Sequence, residues 1–199
     1  MLFPTQKKIS KKEINLLPFI SFNGQICLCD NEKKINDAAK ELKKEKIIGF
    51  DTETKPSFKK GEYYPPSLLQ LASAKTVYLI HLQKSPISSP IIKIFENKNI
   101  IKTGVAIQRD ILDLKKVKSF NSQNFIELSE IAKENGVENL GLRSLTALFF
   151  GSKLSKNEQV SNWARSKLTD SQIKYAATDA WISRELYVLF KNRGLISKQ

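Results

Sequence analysis

Lys46-Ile47-Ile48-Gly49-Phe50-Asp51-Thr52-Glu53-Thr54 is the stretch that decides how this chain folds. Ile47 to Phe50 is an apolar run of strand type, and it ends in two acids at positions i and i+2. Side chains alternate across a strand, so Asp51 and Glu53 share one face while Phe50 and Thr52 take the other. Carboxylates this close at the end of a buried strand repel each other and are costly to desolvate. A shared proton or a cation would compensate, and a ligand set made only of oxygen suits Mg²⁺ or Mn²⁺. Taken alone, the pair is more often a plain solvated strand end.

Two more acidic segments follow. Lys102-Thr103-Gly104-Val105-Ala106-Ile107-Gln108-Arg109-Asp110 reads as a strand running through a glycine into a helix, with Asp110 six residues past the glycine. Its ordinary reading is an acid favoured by the helix dipole, and Asp113 is a rival one turn on. In Tyr175-Ala176-Ala177-Thr178-Asp179 the tyrosine and the acid stand at i and i+4, on one helical face. Ala176, Ala177 and Ala180 around Asp179 would let that helix approach another element closely, so the acid would be buried. A boundary tyrosine beside a surface acid is the simpler alternative.

Outward from these segments the pattern alternates. Residues 1–24 are basic and irregular, punctuated by Pro4, Pro18 and Gly24, and read as an arm or strap. The remainder, 25–199, reads as one domain. Strand candidates are Gln25–Cys29, 46–52, Ser67–Ala72, Thr76–Leu82 and Asn99–Thr103, with 125–128 a brief strand or turn. Apolar spacing predicts helices over Glu32–Lys44, Pro90–Asn97, Gly104–Lys116, Gly141–Phe150 and about Asp170–Asn192. Asp30 or Asn31 can cap the first of these, Thr169-Asp170-Ser171-Gln172 is a capping box for the last, and Gly151 is a good helix terminator. Strands with interleaved helices, then a helical cluster, predict an α/β fold with a mixed sheet.

Lys and Arg outnumber Asp and Glu 33 to 20, a net charge of +13. That excess suits a polyanion, nucleic acid first and an anionic membrane second. Cys27 and Cys29 match neither a zinc signature nor C-x-x-C, and read as two buried free thiols of a reducing cell. His81, the single histidine, reads as structural. No apolar run nears the roughly 20 residues of a membrane helix, and the start lacks a signal-peptide core. A soluble, cytoplasmic protein is expected.

Together FDTET, KTGVAIQRD and YAATDA resemble, in order, the three motifs of the DEDD-type 3′–5′ exonucleases of the DnaQ-like, ribonuclease H-like superfamily. Tyr four residues before Asp marks the DEDDy branch, and the likeness is greatest to ribonuclease D and the Werner-syndrome helicase exonuclease domain. SLLQLA (67–72), NFIEL (124–128), LRSL (142–145) and Ser161-Asn162-Trp163 also look like family sequence. The resemblance runs from about residue 25 to 190 and implies a mixed five-stranded sheet flanked by helices, its second strand antiparallel to the rest.

The resemblance also implies roles. Asp51 would bridge two divalent cations, Glu53 and Asp179 would complete the first site, and Asp110 would hold the second. Glu53 and Tyr175 would orient the attacking water, and Thr52, Thr54, Arg143, Ser144 and Trp163 are candidate substrate contacts. Phosphodiester hydrolysis adds charge to an anion, and two cations roughly 3.5–4 Å apart can offset it in an in-line displacement. A tyrosine near its ordinary pKa is a poor base at pH 7, so Tyr175 is assigned to positioning. The expected products are nucleoside 5′-monophosphates, from DNA or RNA. A catalytically weak nucleic-acid-binding module of the same fold is the alternative, although such modules usually lose an acid and none is missing here. Arg143 near a helix start could meet a phosphate, while Trp163 could support the active-site wall or, as the commoner case, be core. Phe58, Tyr63 and Tyr64 among Lys59 and Lys60 suit either base stacking or packing.

Overall fold

The structure, a computed structural model, describes residues 6–196. Its elements in chain order are α1 (Lys11–Leu16), β1 (Gln25–Cys29), α2 (Glu32–Leu42), β2 (Ile47–Thr54), β3 (Pro66–Ala72), β4 (Thr76–His81), α3 (Ser89–Phe95), β5 (Ile101–Gly104), α4 (Gln108–Val117), β6 (Phe125–Glu127), α5 (Leu128–Glu134), α6 (Leu142–Phe150) and α7 (Asp170–Asn192). Among the described residues no helix is long and apolar enough to cross a membrane.

The six strands form one mixed sheet in the order β1-β4-β3-β2-β5-β6. β3 is antiparallel to both neighbours, while β1 with β4, β2 with β5 and β5 with β6 are parallel. This adds one strand to the five expected. Phe125–Glu127, ambiguous in sequence, pairs with β5 over three residues and so joins the edge. The antiparallel strand is β3, third in chain order rather than second.

Both faces of the sheet are covered, which is why β3 and most of β4 are buried throughout rather than alternating. On one face α2, α3 and α4 enclose a core that includes Ile35, Leu42, Ile48, Phe50, Phe95 and Leu114. On the other, α7 packs through Ala176, Ala177 and Ala180 against Leu68 and Leu79, with Trp163 and Leu168. The far half of α7 joins α5 and α6 in a third cluster that contains Leu145, Phe149, Leu186 and Phe190.

The helix ends follow their local chemistry. Asn31 caps α2 by accepting the Lys34 N–H at 3.0 Å. Thr169 and Gln172 form the reciprocal capping box of α7, and α6 stops at Gly151 with φ +60. The helix expected from Gly104 begins only at Gln108. Gly104 is still in register with Glu127 of β6, and Ala106 has φ +61, a left-handed turn that interrupts any helix. The arm also differs from the expectation of an irregular strap. Beyond residues 1–5, which lie outside the described residues, it carries α1 with a complete Ser10–Glu13 capping box, and it buries Ile14 and Phe22. Cys27 and Cys29 share one strand face, with sulfurs 3.8 Å apart and free.

Candidate active site

Gly49 sets the geometry of the site. A Cβ built there would lie 1.9 Å from the Ala180 carbonyl oxygen. Backbone of α7 therefore rests directly on backbone of β2, an approach only glycine permits. Close to this contact, the strand face that carries Asp51 and Glu53 meets the helix face that carries Tyr175 and Asp179. Asp51, Glu53 and Asp179 each offer a carboxylate oxygen, and these atoms all lie within 4.8 Å of one another.

Asp110 is positioned separately, from the first turn of α4. Its carboxylate accepts the Thr52 hydroxyl at 2.5 Å, from the opposite face of β2. The turn before it is held by Glu127. That buried carboxylate accepts the Ala106 N–H and the Ile107 N–H, each at 2.8 Å, and also receives the Ser129 hydroxyl at 2.7 Å. In the sequence Glu127 stands out only as part of a family-like segment. No local pattern marks it, because its partners are backbone amides about 20 residues away. The rival Asp113 is engaged elsewhere, paired with Arg109 and Lys116 at 2.8 and 2.7 Å.

Charge is poorly compensated in the cluster. Among the described residues no lysine or arginine forms an ion pair with Asp51, Glu53, Asp110 or Asp179. Burial, then repulsion from Asp110 and Asp179, holds Asp51 well above the carboxylate range. Burial, then repulsion from Asp51, Asp179 and Asp110, pushes Glu53 up to about 10. Burial raises Asp179 to about 7, against the lowering pull of the Tyr175 hydroxyl. Asp110 rises to about 6 through burial, partly offset by its Thr52 bond. Burial, then the neighbouring acids, raises Tyr175, so the phenol stays protonated. Four acids whose ionisation burial opposes, and for Asp51 and Glu53 mutual repulsion as well, with oxygen as the sole donor type, fit hard divalent cations.

Asp51, Glu53 and Asp179 open onto a cleft of about 480 Å³ lined also by Thr52, Ala106, Arg143, Ser144 and Lys156. Of the candidate substrate contacts, Thr52, Arg143 and Ser144 line it, while Thr54 lies exposed beyond. The expectation for Trp163 is corrected. It is fully buried, its ring centroid 5.9 Å from that of Tyr175, so it backs the tyrosine and cannot touch a substrate. His81 is structural as expected, buried with Nε2 3.0 Å from the Arg165 carbonyl. Of the aromatic loop, the Tyr63 and Tyr64 rings lie under Lys116 and Lys55, at 4.6 and 4.5 Å, whereas Phe58 is exposed. Gln70, opposite Asp51 in the sheet, is fully buried, and its amide has no hydrogen-bond partner among the described residues.

A helix laid across a mixed sheet, with acids gathered at the carboxyl end of the central strand, defines a class of α/β proteins that collect carboxylates for divalent metal ions. Residues 27–194 match the family model described as 3′–5′ exonuclease, and the chain belongs to that family. The bifunctional 3′–5′ exonuclease/ATP-dependent helicase WRN of Mus musculus is 31% identical over 188 residues, which cover 89% of this chain and 13% of that protein. Ribonuclease D of Bartonella henselae is 24% identical over 197 residues, 95% of this chain and 46% of that protein. Among solved structures, the Aedes aegypti Nibbler EXO domain aligns with a TM-score of 0.80 at 26% identity, covering 87% of this chain and 92% of that one. Escherichia coli RNase D shares the fold, with a TM-score of 0.76 at 23% identity over 88% of this chain and 47% of that one. The chain thus spans at most about half the length of the Mus musculus and Bartonella henselae relatives.

Proposed function

We propose that this chain is a divalent-metal-dependent 3′–5′ exonuclease of the DEDDy branch, which hydrolyses DNA or RNA from the 3′ end to nucleoside 5′-monophosphates. The observation that carries this reading is the convergence of the Asp51, Glu53 and Asp179 carboxylates within 4.8 Å, beside Tyr175. Asp51, Glu53 and Asp179 would hold one cation, and Asp51 with Asp110 a second, Mg²⁺ or Mn²⁺. Cations there would neutralise the acids, acidify the attacking water and offset charge on the leaving oxygen.

The chain's own groups do the positioning. Protonated Tyr175, which in the metal-free site turns its hydroxyl to Asp179, would donate it instead toward the water that Glu53 would orient. Thr52 fixes the rotamer of Asp110. Arg143 and Ser144, in the first turn of α6, meet the backbone of the entering strand where the helix N-terminus has no side-chain cap. The cleft has the size of a small-molecule site, room for the 3′ end of a single strand or of a strand in a duplex.

A 5′-labelled single strand should shorten stepwise in Mn²⁺ or Mg²⁺, stay whole in chelator, and stay whole with Asp51→Ala. Shortening by that variant would sink the mechanism. A strand bound but never cut by the native chain in any divalent metal would favour the catalytically weak binding module. Matched RNA and DNA strands, single-stranded and 3′-recessed, decide the substrate.

A further inference from the structure

The family match starts at residue 27, yet the cleft has a wall that lies before it. Lys11 and Ile14 of α1 line the same cavity as Asp51, Glu53 and Asp179. The segment that carries them is fastened along its length. Ile9 N–H donates to the Asn139 side chain at 2.8 Å, and Glu138 N–H to the Lys7 carbonyl at 2.9 Å. Further on, Lys153 N–H donates to the Pro18 carbonyl at 2.8 Å, and Ile20 N–H to the Lys153 carbonyl at 3.1 Å. Phe22 then seats in the core under α7. These bonds and the buried Ile14 fix α1 across the mouth of the cleft.

Two side chains of the strap face the chemistry of an entering strand. Lys11 is exposed and lines the cavity without an ion pair among the described residues. Asn15 accepts from Arg143 Nη2 at 2.9 Å, while Arg143 Nε is buried without a partner among the described residues. A guanidinium held at one nitrogen, with donors left over in a cleft, is preorganised for a phosphate. The acids, once neutralised by metal, serve the scissile phosphate. The next phosphates along the strand still need cations, and among the described residues Lys11, Arg143 and Lys156 are those that line the cavity.

We infer that the N-terminal strap is part of the substrate site: Lys11 contacts a backbone phosphate upstream of the scissile one, and Asn15 positions Arg143 for another. The inference rests on the exonuclease reading for the direction of the strand, but not for the contact itself.

The test measures binding of a short single strand to the Asp51→Ala chain, so that the strand stays whole and turnover is not required. Lys11→Ala should weaken binding about 5- to 20-fold, the loss of one charge-assisted contact, and flatten the slope of log affinity against log salt by about 0.7. Lys93→Ala, an exposed lysine on α3, is the control and should do neither, and Lys11→Arg should restore binding. Asn15→Ala should weaken binding about 3- to 10-fold but add nothing in an Arg143→Ala background, the coupling expected of a positioning residue. In the native chain both variants should raise KM and spare kcat. Equal salt slopes for Lys11→Ala and Lys93→Ala would overturn the phosphate contact, and additive losses for Asn15 and Arg143 would overturn the positioning. Native chain that binds with these dependences but never cuts would instead refute the exonuclease reading and leave the strap standing.

Discussion

Replacing Asp179 with asparagine should make the metal-free protein more stable, by an amount that depends on pH. Asp179 is buried, and its carboxyl is raised from 3.8 to about 7. A group whose folded pKa lies above its unfolded value contributes stability that is complete below the unfolded pKa and is lost as pH rises through the folded one. For Asp179 that window runs from about pH 4 to about pH 7. The gap from 3.8 to about 7 corresponds to ~4 kcal/mol. Asparagine keeps an oxygen for the Tyr175 hydroxyl but never ionises, so above pH 7 it should recover ~2–4 kcal/mol. For a chain of this size each kcal/mol moves Tm by about 2–4 °C, giving a rise of roughly 4–16 °C. Circular-dichroism melts in chelator at pH 4.5, 6 and 8 read it: the two proteins should melt together at the lowest pH and separate through pH 7. Saturating Mn²⁺ should stabilise the native chain far more than the variant and close the gap, because ligand binding to the folded state adds stability. An Asp179→Asn variant that melts below the native protein at pH 8 in chelator would refute the reasoning, since the carboxylate would then be stabilising without metal.

Gly49→Ala should cost ~1–3 kcal/mol or more and cut activity at least about 100-fold, because its Cβ forces α7 off β2 and separates Asp179 from Asp51; melting and single-turnover rates check it. Tyr175→Phe should fold normally and bind the strand unchanged while kcat falls about 10- to 1000-fold, the loss of one positioned donor. Because burial and nearby acids keep that phenol protonated, the native pH–rate profile should show no tyrosine limb up to about pH 10, the ordinary tyrosine value. Glu127→Gln should lose ~1–3 kcal/mol of stability and need more metal for half-maximal rate, since the Ala106–Ile107 turn that carries Asp110 loses its charged anchor; a Mn²⁺ titration followed by electron paramagnetic resonance reads that shift.

Local chemistry was enough to locate most of the elements. The apolar run of β2, the Thr169–Gln172 box and the alanines around Asp179 each specify their structure through nearest neighbours. Even Asn31 and Gly151 act where the sequence places them. The four acids and Tyr175 were legible as motifs because alternation on a strand and the i, i+4 relation on a helix are fixed by backbone geometry. Where the sequence left a choice open or misled, a distant partner decided. Phe125–Glu127 is a strand only because β5 lies beside it, and the helix after Gly104 starts late because Glu127 holds the amides of a left-handed turn. Trp163, read as wall or more often core, is core because it packs against α7.

The sequence by itself thus determined which residues are acidic, how they alternate, and which helix and strand carry them. Tertiary structure alone decided that Asp51, Glu53 and Asp179 converge, that Asp110 stands behind Thr52, and that the N-terminal segment, readable as arm or strap, walls the cleft through Lys11 and Ile14. The physical reason lies in range. Dihedral preference and side-chain periodicity act over a few residues, whereas burial, mutual repulsion of carboxylates and the backbone contact of Gly49 with Ala180 exist only once segments more than a hundred residues apart are packed together.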